Sequence, residues 1–175
     1  HAYYFLDSTA SSLKYFRESI RLKPDYNLSY TGIGDLYKDK LNNTTEALSW
    51  YLKAYTIDST HKKTNYWIGW CYNDLEKYNK AIPYLEKVIA VDPANILPVI
   101  ELGFSLYSIA KYDEAVSVLQ KALIIQPKPE LAVYYAGLCY VKTGHKAEAV
   151  NRYNDLVILN SEYALNLLTE IKRMK

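Results

Sequence analysis

The chain has 175 residues, half of them apolar, with six Gly and six Pro, and its 21 basic and 19 acidic side chains leave a formal charge of +2. That length suits one domain or a short repeat array, and so much apolar content with so little Gly and Pro excludes a disordered or low-complexity chain. The small, interspersed charge lacks the basic stripe of a nucleic-acid binder, and apolar runs such as 132–135 and 138–141 are far too short for membrane insertion.

Small residues and helix stops recur at a fixed interval. Gly34, Gly69, Gly103 and Gly137 follow at steps of 35, 34 and 34. Ala47, Ala81, Ala115 and Ala149 step by 34, with Ser12 35 residues before Ala47. Pro24, Ser59, Pro93, Pro127 and Ser161 form a third series at 35, 34, 34 and 34. The one extra residue lies between Tyr37 and Ala47, where KDKLNNTTE reads as a turn able to absorb it.

In chain order the period predicts a partial repeat at 1–26, full repeats at 27–61, 62–95, 96–129 and 130–163, and a closing helix at 164–175. Each full repeat reads as two antiparallel helices joined by a short turn. His1 falls within a first helix, so the first repeat begins half-formed; the chain then reads as a fragment, or as a protein whose upstream part was removed. In 27–61, Thr44 or Thr45 suits a helix N-cap. In 62–95, Pro83 lies in or just past a first turn and predicts a delayed start or a slight kink. In 96–129, Pro98 fits a first turn and Asp113 an N-cap, while Ala115, Val118, Leu119, Ala122 and Leu123 mark one apolar helix face. At the boundary before 130–163, Pro129 fits a first turn of its helix. Asp58, Asp92-Pro93 and Asn160-Ser161 end second helices.

The recurring Gly and Ala allow two helices to cross closely, with Tyr51, Leu85, Leu119 and Tyr153 filling the space around them. In the closing helix, Leu165, Leu168 and Ile171 face the last repeat, while Glu170, Lys172, Arg173 and Lys175 stay wet. Cys71 and Cys139 share one slot two repeats apart, too far to bridge, and read as small buried apolar residues. The 19 Tyr, each with an apolar body and a polar tip, suit half-buried positions on packed, wet surfaces.

Ile33-Gly34-x-x-Tyr37, Ile68-Gly69-x-x-Tyr72 and Ala136-Gly137-x-x-Tyr140, each followed by the later Ala and a closing Pro or turn residue, carry a family pattern. Leu102-Gly103 departs from it, with Leu106 in the Tyr slot and Tyr107 beside it, and the opening Trp slot holds Tyr30, Asn65, Val99 and Val133. Over nearly the whole chain this resembles the tetratricopeptide repeat. The resemblance implies an all-α, right-handed superhelical solenoid of antiparallel helix hairpins, about four and a half repeats with a C-terminal capping helix.

The resemblance also implies that first helices line a concave groove in which an extended or helical peptide binds. The groove slots hold Leu28, Thr31, Gly32, Asp35, Lys38 and Asp39, then Lys63, Tyr66, Trp67, Trp70, Asn73 and Asp74. They continue with Leu97, Ile100, Glu101, Phe104, Tyr107 and Ser108, then Leu131, Tyr134, Tyr135, Leu138, Val141 and Lys142. Tyr66, Trp67, Trp70, Asn73, Ile100, Glu101, Phe104, Tyr107, Tyr134, Tyr135 and Leu138 form the candidate peptide-binding surface. Trp67, Trp70 and Phe104 fill slots that elsewhere in the family are more often amide or charged. The Lys and Asn of the carboxylate clamp used by chaperone-tail binders are missing, since Thr31, Tyr66, Ile100 and Tyr134, and Asp35, Trp70, Phe104 and Leu138, stand in their slots.

His1, His61 and His145 are isolated, and no metal-ligand spacing, phosphate-binding Gly loop or nucleophile with a nearby base occurs. The chain therefore reads as a non-enzyme without cofactor or metal, binding a peptide or partner protein of unknown identity. It reads as soluble, cytoplasmic or, if an upstream signal was removed, periplasmic. Two other readings are self-assembly through the incomplete first repeat, and carbohydrate stacking on Trp67, Trp70 and Tyr135.

Overall fold

The computed structural model describes residues 2–174, with side chains from Thr9 onward; His1 and Lys175 lie outside the described residues. The described residues form ten helices and no strand: α1 (Ala2–Leu22), α2 (Asn27–Asp39), α3 (Thr44–Ile57), α4 (Lys62–Asp74), α5 (Tyr78–Val91), α6 (Ile96–Ser108), α7 (Tyr112–Ile125), α8 (Glu130–Lys142), α9 (Lys146–Ile158) and α10 (Tyr163–Lys172). Two compact units share them, the first ending at Lys87 and the second beginning at Val88.

Most helix ends follow the sequence pattern, with local differences. α1 runs unbroken for 21 residues where the period places one helix end and the next start. No Gly or Pro interrupts it, so nothing stops propagation. The N-cap of α3 is Asn43, whose side chain accepts from the Glu46 N–H at 3.0 Å, not Thr44 or Thr45. Asp113 lies inside the first turn of α7 with Glu114, where carboxylates meet the positive end of the helix dipole. Pro129 is the N-cap of α8 and not its first-turn residue. Pro83 delays nothing: α5 starts at Tyr78, its Lys80 and Ala81 N–H groups bonding to the Lys77 carbonyl at 2.8 and 3.3 Å, and Pro83 sits inside the helix.

A further series is visible only in the backbone. Asn42, Glu76, Ala110 and Gly144, spaced by 34, take φ of 48°, 56°, 62° and 81° in the turns between paired helices. Each hairpin thus turns through one left-handed residue, and only the last uses the residue type that adopts it without steric cost.

In the first unit, the recurring glycines receive side chains from the neighbouring helix. The Tyr51 ring of α3 lies 2.5 Å from where a Gly34 Cβ would stand, and Leu85 of α5 lies 2.6 Å from that of Gly69. Gly32, a groove slot by the sequence pattern, instead receives Phe16 of α1. Ala47, Leu48, Tyr51, Ile68 and Cys71 form the core here. The motif's opening slot ties loops: the Tyr30 hydroxyl donates to Pro24 O at 3.0 Å, and Asn65 Nδ2 to Ser59 O at 2.9 Å, each six residues back.

In the second unit Leu119 fills the space over Gly103, as the pattern implies. Gly137 differs: it receives Leu167 of α10 and the Arg152 Cβ, not Tyr153. This sets the rotation of α10. Leu167 and Ile171 join Val133, Leu138, Ala149 and Leu156 in the core, while Leu165 is 71% exposed. The pattern chose Leu165 because three leucines follow closely along α10, and only the glycine notch selects among them. Both cysteines are free and buried, which pushes the Cys71 and Cys139 thiols up to about 12.

Candidate functional site

In the first unit the candidate surface is built by α2 and α4. On α4, Lys63, Tyr66, Trp67, Trp70 and Asp74 recur at helical spacing along one side. Trp67 and Trp70 are half-buried. One side of each packs against the core, and their rings meet edge to face at 5.8 Å and 80°. Tyr66 stands beside Trp67 at 4.8 Å.

Lys38 of α2 lies across these rings, its ammonium 3.8 Å from the Trp67 centroid and 5.8 Å from that of Trp70. Asp39 pairs with the same ammonium. Asp35 takes the Tyr51 hydroxyl at 2.8 Å and the Lys63 ammonium at 2.6 Å, and Asp74 takes the Thr44 hydroxyl at 2.6 Å. Asn73 faces inward and is buried, whereas the next residue along α4, Asp74, is exposed.

In the second unit α6 and α8 bring Phe104, Tyr107, Tyr134 and Tyr135 together. Tyr135 is central, with centroids at 5.1 Å from Phe104, 5.9 Å from Tyr107 and 5.5 Å from Tyr134. Two rings that the sequence pattern leaves aside extend the cluster. Tyr163 of α10 stacks on Tyr134 at 4.7 Å and 26°, and Tyr112 of α7 lies 5.8 Å from Tyr107. Both sit at helix starts outside the groove slots; their signal was only the density of Tyr.

Burial, with the nearby Glu101 carboxylate, pushes the Tyr135 hydroxyl up to about 12. Burial likewise raises Tyr107 and Tyr134, with Glu170 among the charges acting on both. Ile100 and Leu138, which the pattern assigns to the surface, are buried; Leu138 belongs to the core. Each unit thus offers half-buried rings edged by carboxylates, suited to apolar contact, ring stacking and cation–π contact. Among the described residues, no three His, Cys, Asp or Glu side chains gather as a metal site.

The family model of subunit 3 of the anaphase-promoting complex, or cyclosome, matches residues 40–122, and that of the tetratricopeptide repeat matches residues 131–160. With the ten helices in the described residues, this decides the family. The chain is a tetratricopeptide-repeat protein. Solved TPR structures share its fold. A MamA RS-1 double mutant is 19% identical, with a TM-score of 0.82 over 88% of this chain and 86% of its own. MamA from residue 41 to its end, from Desulfovibrio magneticus RS-1, is 20% identical, with a TM-score of 0.81 over 87% and 86% of the two chains. YrrB, a TPR protein with an unusual peptide-binding site, is 22% identical, with a TM-score of 0.71 over 91% and 92%. No curated protein matches the chain. The TPR fold is in general a non-catalytic protein-interaction scaffold, and among the described residues no helix is long and apolar enough to cross a membrane.

Proposed function

We propose that this TPR chain is a non-catalytic scaffold that binds a peptide or partner protein through the aromatic faces of its first helices. In the first unit these are Tyr66, Trp67 and Trp70, and in the second Glu101, Phe104, Tyr107, Tyr134 and Tyr135. The observation that carries the reading is the state of Trp67 and Trp70. Each is fixed by the core on one side and left partly open on the other, a preorganised arrangement that lowers the ordering cost of binding. Rigid aromatic anchors of this kind carry much of an interface's affinity. Tyr107, Tyr134 and Tyr135 pack against the core that contains Leu138, and Asn73 and Ile100 are buried.

The test is selection of random linear peptides displayed on phage, followed by fluorescence titration of synthetic copies. Selected peptides are expected to change the Trp emission and to lose binding, by about thirtyfold or more, with Trp67→Ala/Trp70→Ala. Peptides that bind both proteins alike count against this surface.

Self-association is a second reading. It is favoured by the flank of α1, where Leu13, Lys14, Tyr15, Arg17 and Arg21 line an open depression of about 590 Å³ and Tyr15 is 76% exposed. Sedimentation at rising concentration, with wild type and Tyr15→Lys, tests it. The carbohydrate reading loses support from the 80° angle between Trp67 and Trp70, since two crossed rings offer no shared platform to a sugar face.

A further inference from the structure

In the first unit, Lys38 marks what the tryptophan face accepts. Its side chain is only 11% exposed, its ammonium lies over Trp67, and the Asp39 carboxylate completes the pair. An aromatic face and a carboxylate together hold a cation well where water is scarce, because the ring quadrupole and the negative charge replace part of its hydration. The same two groups recur one turn along α4. Trp70 and Asp74 stand four residues apart on one helix face. Trp70 is half-buried, whereas Asp74 is exposed and holds the neutral Thr44 hydroxyl at 2.6 Å.

Charge points the same way. The carboxylates here are Asp35, Asp39 and Asp74, and the ammonium groups are Lys38 and Lys63. Lys38 is held by Asp39, and Lys63 by Asp35 at 2.6 Å. The surplus negative charge therefore falls at Asp74, beside an aromatic ring, and an arriving cation meets both together. An acidic partner would meet repulsion from Asp74. A wholly apolar one would strip water from that carboxylate without replacing it.

We infer, resting on the binding role proposed above, that the partner is a basic peptide segment, one Lys or Arg of which docks against Trp70 and Asp74. Lys38 on Trp67 is the intramolecular counterpart of that contact. Sequence alone tallies the acidic groove residues but does not say which are already paired.

The experiment uses the whole chain and peptides selected from a phage-displayed random library. Each is synthesised twice, as selected and with its Lys and Arg replaced by Gln, and titrated by fluorescence polarisation against wild type and Asp74→Asn, whose fold is checked by circular dichroism. The expected result is a shared Lys or Arg position, a loss of about tenfold or more with the Gln peptide on wild type, and little difference between the peptides on Asp74→Asn. Affinity for wild type should also fall as salt is raised. Peptides that need Trp70 yet bind equally after the Gln replacement overturn the basic-partner inference and leave the binding role standing. If no selected peptide depends on Trp67 and Trp70, both fall.

Discussion

The hydroxyl of Tyr51 donates to Asp35 Oδ1 at 2.8 Å from a side chain that is 0% exposed, while Asp35 Oδ2 takes the Lys63 ammonium at 2.6 Å. One carboxylate thereby joins α2, α3 and α4, and the ring that delivers the hydroxyl also fills the notch at Gly34. Tyr51→Phe keeps the packing and removes one charge-assisted bond. It should lower stability by about 1.5–3 kcal/mol in urea unfolding. An unchanged midpoint would mean that water replaces the hydroxyl without cost.

Alkaline pH should unfold the chain. Burial and the neighbouring carboxylate hold Tyr51 neutral far above the usual tyrosine range, Tyr135 is raised to about 12, and both thiols to about 12. Each folded-state pKa lies above its unfolded value, so the unfolded chain releases protons first as pH rises. The stabilisation is complete below the unfolded values, about 8.5 for Cys and 10 for Tyr, and is lost progressively above them toward pH 12. Melting temperature measured between pH 8 and pH 12 should fall monotonically, and tyrosinate absorbance should appear together with loss of helix signal. Tyrosinate formation with helicity intact would contradict this account.

Two glycine substitutions separate packing from backbone strain. A Cβ on Gly34 would meet the Tyr51 ring at 2.5 Å, and that ring is held by Asp35, so Gly34→Ala should cost about 1–3 kcal/mol. Gly144 has nothing within 4 Å of its Cβ position but a φ of 81°, so Gly144→Ala should cost about 1 kcal/mol through the backbone alone. The reverse change at the matching turn, Ala110→Gly at φ 62°, should be neutral or slightly stabilising. Thermal melts of the three variants decide the ranking.

Leu167 and Leu165 test how α10 is seated. Leu167→Ala removes the side chain that fills Gly137 and should cost about 2–5 kcal/mol. Leu165→Ala, at an exposed position, should stay within about 0.5 kcal/mol. Equal effects in chemical unfolding would mean that α10 is rotated from the position described.

The repeat period was legible in the sequence because stacked hairpins must place a small residue wherever a neighbour's large side chain enters. Gly34, Gly69, Gly103 and Gly137 therefore recur whatever surrounds them. The aromatic positions Trp67, Trp70, Phe104, Tyr134 and Tyr135 could be named because helical spacing puts them on first helices. Their partners could not. Lys38 on Trp67 joins residues of α2 and α4, Tyr163 on Tyr134 joins α10 to α8, and such pairs depend on the rotamer of each long side chain.

The sequence by itself determined the helical hairpins, their period and the rings along them, since those follow from local periodicity and from volume at each crossing. Only the tertiary structure decided which face of α10 is buried, which carboxylates are already paired, and how much of each ring remains open. Those outcomes depend on helix rotation and side-chain reach across neighbouring helices, where angles of a few tens of degrees exchange a buried group for a wet one.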